Sequence, residues 1–401
     1  MSTTMTIDQQ ITALSRRAER ILSEDELRKK LERAEKTNKP LRIKFGMDPT
    51  APDVTLGHAV PLRIIRQFQE WGHKAVIIIG DYTARVGDPT GRNELRPKLD
   101  PAQIDANAKT YVAQIGKILL TDEKHLEVRF NGEWLGGMTM MDVIGLLARK
   151  TVAQLLARED FHERFSKQVD IHLHELMYPL LQGWDSVAID ADVEMGGSDQ
   201  LFNNLVGREF QKEQGKEPQV VIVTPLLVGT DGAAKMSKSK GNYIAVTDPP
   251  AGNDGMYGKV MSLPDALMES YYQFLTELPM DAAKQQIAAN PNEAKMSLAR
   301  QIITWLHGED AATQAQADWD RRRKHEAPDD IPEFSVGPAP QKLAPLLVQA
   351  QLAASNSEAI RKIKEGAVQL DGEKVTDFQR EYTFARPTVL KLGRKYARIK
   401  P

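Results

Sequence analysis

Lys74-Ala75-Val76-Ile77-Ile78-Ile79-Gly80 is the stretch that decides the fold. A continuous β-branched run with no polar alternation suits a strand covered on both faces, and such strands belong to parallel sheets. Working outward, Leu41 to Phe45 is a second short strand. Between the two lie a polar, proline-containing loop from Asp48 to Asp53 and a helical pattern from Gly57 to about Trp71. Strand, helix and strand at this spacing make a βαβ unit with a right-handed crossover. Downstream, the pattern predicts a helix from Pro101 to Leu120, a strand from Leu126 to Asn131, three further helical stretches and an apolar strand from Val220 to Val223. Upstream, Ile11, Leu14, Ala18, Ile21 and Leu22 recur at helical spacing, which predicts one amphipathic helix over Asp8 to Lys36. Residues 1–246 therefore read as an open α/β domain of Rossmann-like, parallel-sheet type, with its ligands beyond the carboxyl ends of the strands.

Residues 247–324 read as mainly helical, and residues 325–340 carry four prolines and read as a linker. Residues 341–401 form a small α+β unit. Leu343, Leu346, Leu347 and Ala350 make one helical stripe, Ser357 is a candidate N-cap for a second helix, and Gly366 is its stop. Val368 to Leu370, Asp371-Gly372 and Glu373 to Val375 then read as a hairpin with a primed turn.

Composition removes several classes. The chain has 401 residues, 41% hydrophobic and 27% charged, the balance of a globular protein. With no cysteine there is no disulfide scaffold, thiolate–metal site or cysteine nucleophile, which fits a reducing, cytoplasmic setting. The longest wholly apolar run, Ala75 to Ile79, is far short of the roughly 18 residues that read as a membrane span, and the polar start has no secretory core. The net charge of −2 hides an asymmetry: residues 341–401 hold 12 Lys and Arg against 6 Asp and Glu, so the remainder is acidic. A basic tail on an acidic body points to a polyanionic partner for the tail.

Two motifs carry chemistry. Lys235-Met236-Ser237-Lys238-Ser239 follows an apolar strand and a glycine-containing turn, so it sits on a surface loop, and its two ammonium groups suit a polyphosphate. Thr55-Leu56-Gly57-His58 lies where the first strand's loop turns into a helix. Glycine there permits close backbone approach, and a helix N-terminus favours anions. Tyr178, Gln182 and Asp185 fall at i, i+4 and i+7, one face of one helix.

These motifs resemble the paired HIGH and KMSKS signatures of the class I aminoacyl-tRNA synthetases. Gly46-Met47-Asp48-Pro49-Thr50, Gly87-Asp88-Pro89-Thr90-Gly91-Arg92, Tyr178 to Asp185, Gly196-Gly197-Ser198-Asp199-Gln200 and Gly258-Lys259-Val260-Met261-Ser262 are similar to blocks of the bacterial tyrosyl-tRNA synthetases. The tail resembles an RNA-binding module shared with a ribosomal protein. The resemblance implies tyrosine, ATP and tRNA(Tyr) as substrates, Mg²⁺ arriving with ATP and no tightly bound cofactor, no membrane partner, and a homodimer.

It also implies roles. Thr50, Thr55, His58, Lys235 and Lys238, with Arg92 and Arg96 on a closing loop, act on the phosphates. Asp185 accepts the tyrosine hydroxyl, Asp88, Tyr178 and Gln182 hold the ammonium, and Gln200 lies near the carboxylate, with Lys44 and Gly46 in the same pocket. ATP lies against Gly57, His58, Gly197, Asp199, Leu227, Lys235, Ser237 and Lys238. The tail touches tRNA through Arg361, Lys362, Lys364, Arg394 and Lys395. The sequence departs from the pattern at Thr55, where HIGH has histidine, at Phe45, and at Lys44, where many relatives place tyrosine. Lys44 marks a subtype and is expected to pair with Asp81. A tryptophan-specific synthetase is the nearest rival, and Asp185 with the Gly87–Arg92 block argues against it.

Overall fold

Strand β3 (Lys74–Ile79) lies inside a six-stranded sheet, with Ala75 to Ile79 all buried, as its unbroken apolar run requires. A computed structural model describes residues 5–90, 100–252, 254–323, 331–393 and 395–401. These form two compact units, Met1–Asp248 with Ser262–Leu298, and Pro249–Met261 with Ala299–Pro401.

In the first unit the strands are β1 (Arg20–Leu22), β2 (Arg42–Met47), β3, β4 (Leu126–Phe130), β5 (Val193–Gly197) and β6 (Val220–Thr224), in the order β1-β6-β5-β2-β3-β4. All are parallel except β1, which runs antiparallel to β6. From β2 the chain proceeds to one side through β3 and β4, then returns to the other side with β5 and β6. The strand order reverses between β2 and β5, and a crevice opens beyond their carboxyl ends.

The pattern predicts one helix over Asp8 to Lys36; the structure breaks it into Ile7–Ser15 and Glu24–Thr37 with β1 between them. The break follows from Arg16 and Arg17, whose guanidinium groups bind the carbonyls of Leu278 at 2.6 Å and Thr276 at 2.8 Å. The next residues then pair with β6, and Ser23 caps the second helix by accepting from the Glu26 N–H at 3.2 Å. The helix expected to reach Leu120 ends at Ile115, with Gly116 as its cap. Strand β5 escapes a reading of the sequence, because Glu194 and two glycines interrupt its apolar pattern.

The second unit contains a five-stranded sheet in the order β10-β9-β12-β13-β7, made of β7 (Glu333–Ser335), β9 (Val368–Leu370), β10 (Glu373–Val375), β12 (Thr388–Leu392) and β13 (Lys395–Lys400). β8 (Gln341–Lys342) pairs with β11 (Glu381–Tyr382). Leu347, Ile363, Val368, Leu390 and Ile399 meet in one core. At the β9–β10 turn Asp371 and Gly372 have φ of 47° and 87°, the two positive angles of a primed hairpin turn. Ser355, not Ser357, caps the helix Asn356–Lys364, since its side chain accepts from the Glu358 N–H. β7 lies within the stretch read as linker and pairs in parallel with β13. Among the described residues no helix is long and apolar enough to cross a membrane.

Candidate active site

Thr55 caps the helix Leu56–Glu70 at the mouth of the crevice. Its backbone N–H donates to Nδ1 of His58 at 3.2 Å, and its hydroxyl lies 2.8 Å from the same nitrogen. Burial, with the charge of Lys238 nearby, holds His58 down to about 3, so the ring is neutral near pH 7. With Nδ1 accepting, the ring proton sits on Nε2 and serves as a donor. The threonine at the first signature position thus orients the histidine.

Gly57 lies where the second motif reaches this helix. A Cβ there would stand 3.4 Å from the Thr55 hydroxyl and 3.7 Å from Cβ of Met236, ordinary contact distances that place the loop side chain against the helix start. The loop is held by its own bonds: Met236 N–H to the Leu227 carbonyl at 2.7 Å, and Ser237 N–H to Oδ1 of Asn242 at 2.8 Å. Buried Asn242 also donates to Asp231 at 2.8 Å. Asn242 is an organising residue that sequence reasoning missed. Lys238 donates to the Tyr111 hydroxyl at 2.7 Å and to the Ala51 carbonyl at 3.3 Å. Lys235 pairs with Asp199 at 2.8 Å. The two signatures, far apart in sequence, therefore line one crevice, and their cations lie on its β2-loop and β5-loop sides.

The remaining expected positions lie on the same crevice. Gly46 is exposed near the end of β2 with nothing within 4 Å of a Cβ placed there, and Thr50 is half-buried in the loop that follows. A Cβ on Gly197 would lie 2.8 Å from the side chains of Asp199 and Leu226, so any larger residue there would displace them. Leu227 is buried and takes part through its carbonyl, and the Ser237 hydroxyl bonds to that of Ser239 at 2.8 Å. Arg92 and Arg96 lie outside the described residues.

Below the phosphate groups is a polar network. Asp88 accepts from Nε2 of Gln200 at 2.9 Å, Asn203 bridges Oε1 of Gln200 at 3.0 Å and Oε1 of Gln182 at 2.9 Å, and the Gln182 carbonyl accepts from Lys44 at 3.0 Å. Tyr178 donates to Asp48 at 2.9 Å, and Thr83 donates to the other oxygen of that carboxylate at 2.8 Å. Asp185 accepts from Nε1 of Trp134 at 2.8 Å and from Asn131 at 3.3 Å. Burial lifts its carboxyl to about 7, against the lowering effect of Lys44. Burial also raises Asp88, but the Arg158 charge and the bonds from Thr90 and Gln200 outweigh it, and the net shift is downward. The structure thus joins Lys44, Asp88, Gln182 and Gln200 in one network, with Tyr178 and Asp185 on the same helix face.

Sequence reasoning missed Arg158, Asn203, Asp48 and Trp134 here. Only Asp48 lies in a recognisable motif; Trp134 and Asn203 come from unmarked helices, and Arg158 from the bend before the helix Glu159–Ser166. The expected pairing of Lys44 with Asp81 is corrected. Lys44 pairs with Glu194 at 2.7 Å and donates to Ser186 at 2.6 Å, whereas Asp81 accepts the Gly132 N–H at 2.8 Å. Both Lys44 and Glu194 point into the core between strand β2, strand β5 and the helix Leu173–Ala188, and β5 is the strand that the sequence pattern hides.

In the second unit Arg361, Lys362 and Lys364 lie on the helix Asn356–Lys364, with Lys362 bonded to Glu365 at 2.9 Å and Lys364 over the Phe378 ring at 4.6 Å. Lys395 is exposed at the start of β13, and Arg394 lies outside the described residues. Among the described residues no group of three or more His, Cys, Asp or Glu is placed to hold a metal ion.

Comparison with known proteins agrees with this geometry. The family model for tRNA synthetases class I (W and Y) matches residues 35–322, and that for the tyrosine--tRNA ligase SYY-like C-terminal domain matches residues 324–396. The chain is 48% identical to the tyrosine--tRNA ligase of Moorella thermoacetica over 401 residues, covering 98% of this chain and 96% of that protein. It is 46% identical to that of Thermotoga maritima, covering 98% of each. The tyrosyl-tRNA synthetase of Archaeoglobus fulgidus, crystallised with L-tyrosine, shares the fold, with a TM-score of 0.63 at 22% identity over 78% of this chain and 100% of that one. With a matched catalytic family, a matched tail and near-full-length relatives, the chain belongs to the tyrosyl-tRNA synthetases of class I.

Proposed function

We propose that this chain is a tyrosine--tRNA ligase, with the crevice between β2 and β5 as its active site. The carboxylate of tyrosine attacks the α-phosphorus of ATP, the bond to the bridging oxygen breaks, and pyrophosphate leaves with tyrosyl-adenylate behind. A ribose hydroxyl of the terminal adenosine of tRNA(Tyr) then attacks the carbonyl, releasing AMP. The nucleophile of the first step is already ionised, so the protein's task is positioning and stabilisation of charge on the leaving group. Nε2–H of His58, Thr50, Lys235 and Lys238 face the phosphates, joined by Arg92 and Arg96. Mg²⁺ arrives on the ATP phosphates as part of the substrate. Asp199 takes the ribose, and Asp185 accepts the phenol of tyrosine. Asp88, Tyr178 and Gln182 serve its ammonium, and Gln200 its carboxylate.

The division of labour is residues 1–246 for catalysis, 247–324 for the anticodon side of tRNA, 325–340 as linker and 341–401 for RNA, with Arg361, Lys362, Lys364, Arg394 and Lys395 on the backbone. Lys44 marks a subtype of the family. The enzyme works in the cytoplasm as a homodimer. Large apolar side chains stand exposed on the short helices from Met140 to Ser166 and at the start of the helix Leu173–Ala188, with Met140 74% and Leu173 81% exposed, and a second copy covers them.

The observation that carries this reading is the meeting of Met236 with Gly57, which brings both cationic and donor motifs to one crevice. Tyrosine-dependent exchange of pyrophosphate into ATP tests it, with tryptophan and phenylalanine as controls. Exchange with tyrosine alone is expected; exchange with none of the three overturns it.

A further inference from the structure

Among the described residues of the first unit, the ion pair with both side chains most deeply buried lies behind the pocket. Lys44 on β2 and Glu194 on β5 are both essentially without exposure and pair at 2.7 Å. Each is also tied to the helix Leu173–Ala188. Lys44 donates to the Gln182 carbonyl at 3.0 Å and the Ser186 hydroxyl at 2.6 Å, and that hydroxyl donates to Glu194 at 3.0 Å. Gln219 donates to the same carboxylate. A buried ion pair is a weak source of stability, because desolvation offsets its attraction and an apolar pair of equal volume often does as well. Its bonds land on one turn of one helix, 182 to 186, and that turn carries Gln182 and Asp185.

We infer that the Lys44–Glu194 pair is a positioning device for tyrosine recognition: it fixes the helix turn bearing Gln182 and Asp185 against the sheet and sets the field behind the Asp185 carboxylate. This deepens the proposed function and rests on it. Lys44, with no exposed surface, acts through the helix. The charged and titratable groups facing Asp185 are Lys44 from β2, Glu194 from β5 and Tyr178 from its own helix, with Trp134 and Asn131 as neutral donors. The two members of the pair act on Asp185 with opposite sign. Lys44 favours its ionised form, the form that accepts a phenol hydrogen, and Glu194 disfavours it.

The opposite signs give a test that a merely structural pair would fail. Lys44→Met, Glu194→Gln and the double variant remove the lysine charge, the carboxylate charge and both, at nearly constant volume. Each is measured for thermal midpoint, for kcat and tyrosine KM in pyrophosphate exchange, and for the pH dependence of that KM. Lys44→Met is expected to raise tyrosine KM by about tenfold, the loss of one charge-assisted hydrogen bond's worth of order, with a smaller change in kcat and ATP KM unchanged. The acid limb of its tyrosine KM profile moves to higher pH, and that of Glu194→Gln moves to lower pH. The double variant regains thermal stability over Lys44→Met while tyrosine KM stays high. If Lys44→Met does not fold, Glu194→Gln and the double variant decide the question on the same readouts. The inference is overturned if the limbs move in the same direction, or if tyrosine KM returns with stability in the double variant. Wild-type enzyme that exchanges with no amino acid refutes the proposed function instead, so the two failures are separable.

Discussion

Lys235 and Asp199 form a 2.8 Å ion pair on the β5 side of the crevice, joining the first lysine of the surface loop to the turn after β5. The proposed chemistry sends these partners to opposite ends of ATP, the lysine to phosphate and the aspartate to ribose. ATP must therefore replace this pair with two interactions of its own, and Lys235 gains its new partner most fully when charge builds on the leaving pyrophosphate. Lys235→Ala is expected to lower kcat for exchange by about 10- to 100-fold, the range of one hydrogen bond between charged groups. ATP KM stays near the wild-type value, because Asp199 is released to the ribose. Steady-state exchange at varied ATP checks this. A rise in ATP KM with kcat unchanged would instead assign Lys235 to ground-state binding.

Arg158 is the cation that organises the tyrosine side. It is 4% exposed, meets Asp88 at 3.3 Å, Asp160 at 2.8 Å and Asn203 at 3.2 Å, and lies over the Phe161 ring at 5.2 Å. Its removal leaves Asp88 buried without its cation and frees Asn203 from one of its ties. Arg158→Met is expected to destabilise the fold by about 3 kcal/mol, at the low end for breaking a buried pair because Asp88 keeps its bonds to Thr90 and Gln200. Tyrosine KM rises and ATP KM does not. Arg158→Lys keeps the charge but loses the fork, and recovers part of the tyrosine affinity. Thermal melts with exchange kinetics at varied tyrosine separate the two effects.

Much of the fold is legible in the sequence because it depends on local pattern. The buried run at β3, the helix starting beside His58 and the Asp371-Gly372 hairpin each follow from a few adjacent residues. What escapes depends on partners distant in sequence. β5 is a strand because it lies between β2 and β6, and Glu194 is tolerated there because Lys44 reaches it from a strand 150 positions earlier. The same reason explains the wrong partner expected for Lys44: Asp81 is near in topology, but it is used to hold the Gly132 N–H. At the site, motif residues can be found from the sequence and their supports cannot. Arg158, in the bend before the helix Glu159–Ser166, and Asn203, on the helix Leu201–Glu213, are ordinary in sequence and gain meaning only where these segments meet.

The tail offers a separable prediction. β7 pairs in parallel with β13, so a truncation at residue 340 would strip β7 of its partner and leave an unpaired strand. A truncation after Arg323 removes that strand together with the sheet it belongs to. Such a protein is expected to exchange pyrophosphate with tyrosine at close to the full-length rate, while charging of tRNA(Tyr) falls by orders of magnitude and loses its salt dependence, because the cations on the Asn356–Lys364 helix and β13 are gone. Equal charging by the two proteins would remove the tail from tRNA recognition.

Acid stability tests the buried histidine behind β2. His73 is 7% exposed, accepts the Leu41 N–H on Nδ1 at 3.3 Å, and is held down to about 4 by burial. The unfolded chain takes up its proton near pH 6.5, so the folded state is favoured above that pH and loses this contribution as pH falls toward 4. At pH 5 the loss amounts to about 2 kcal/mol. Asp185 works in the other direction. Its carboxyl is raised to about 7, so the stability it contributes is present when it is protonated and is lost as pH rises through that value. Between pH 7 and 4 the two groups oppose each other. Asp185→Asn removes the compensating carboxyl, and its denaturation midpoint is expected to fall more steeply than the wild type's between pH 6.5 and 5. His73→Gln, which keeps an acceptor for Leu41 but cannot take up a proton there, is expected to fall less steeply. Urea titrations of the three proteins at pH 6.5 and pH 5 measure both slopes; parallel slopes in all three would show that neither group carries the acid dependence.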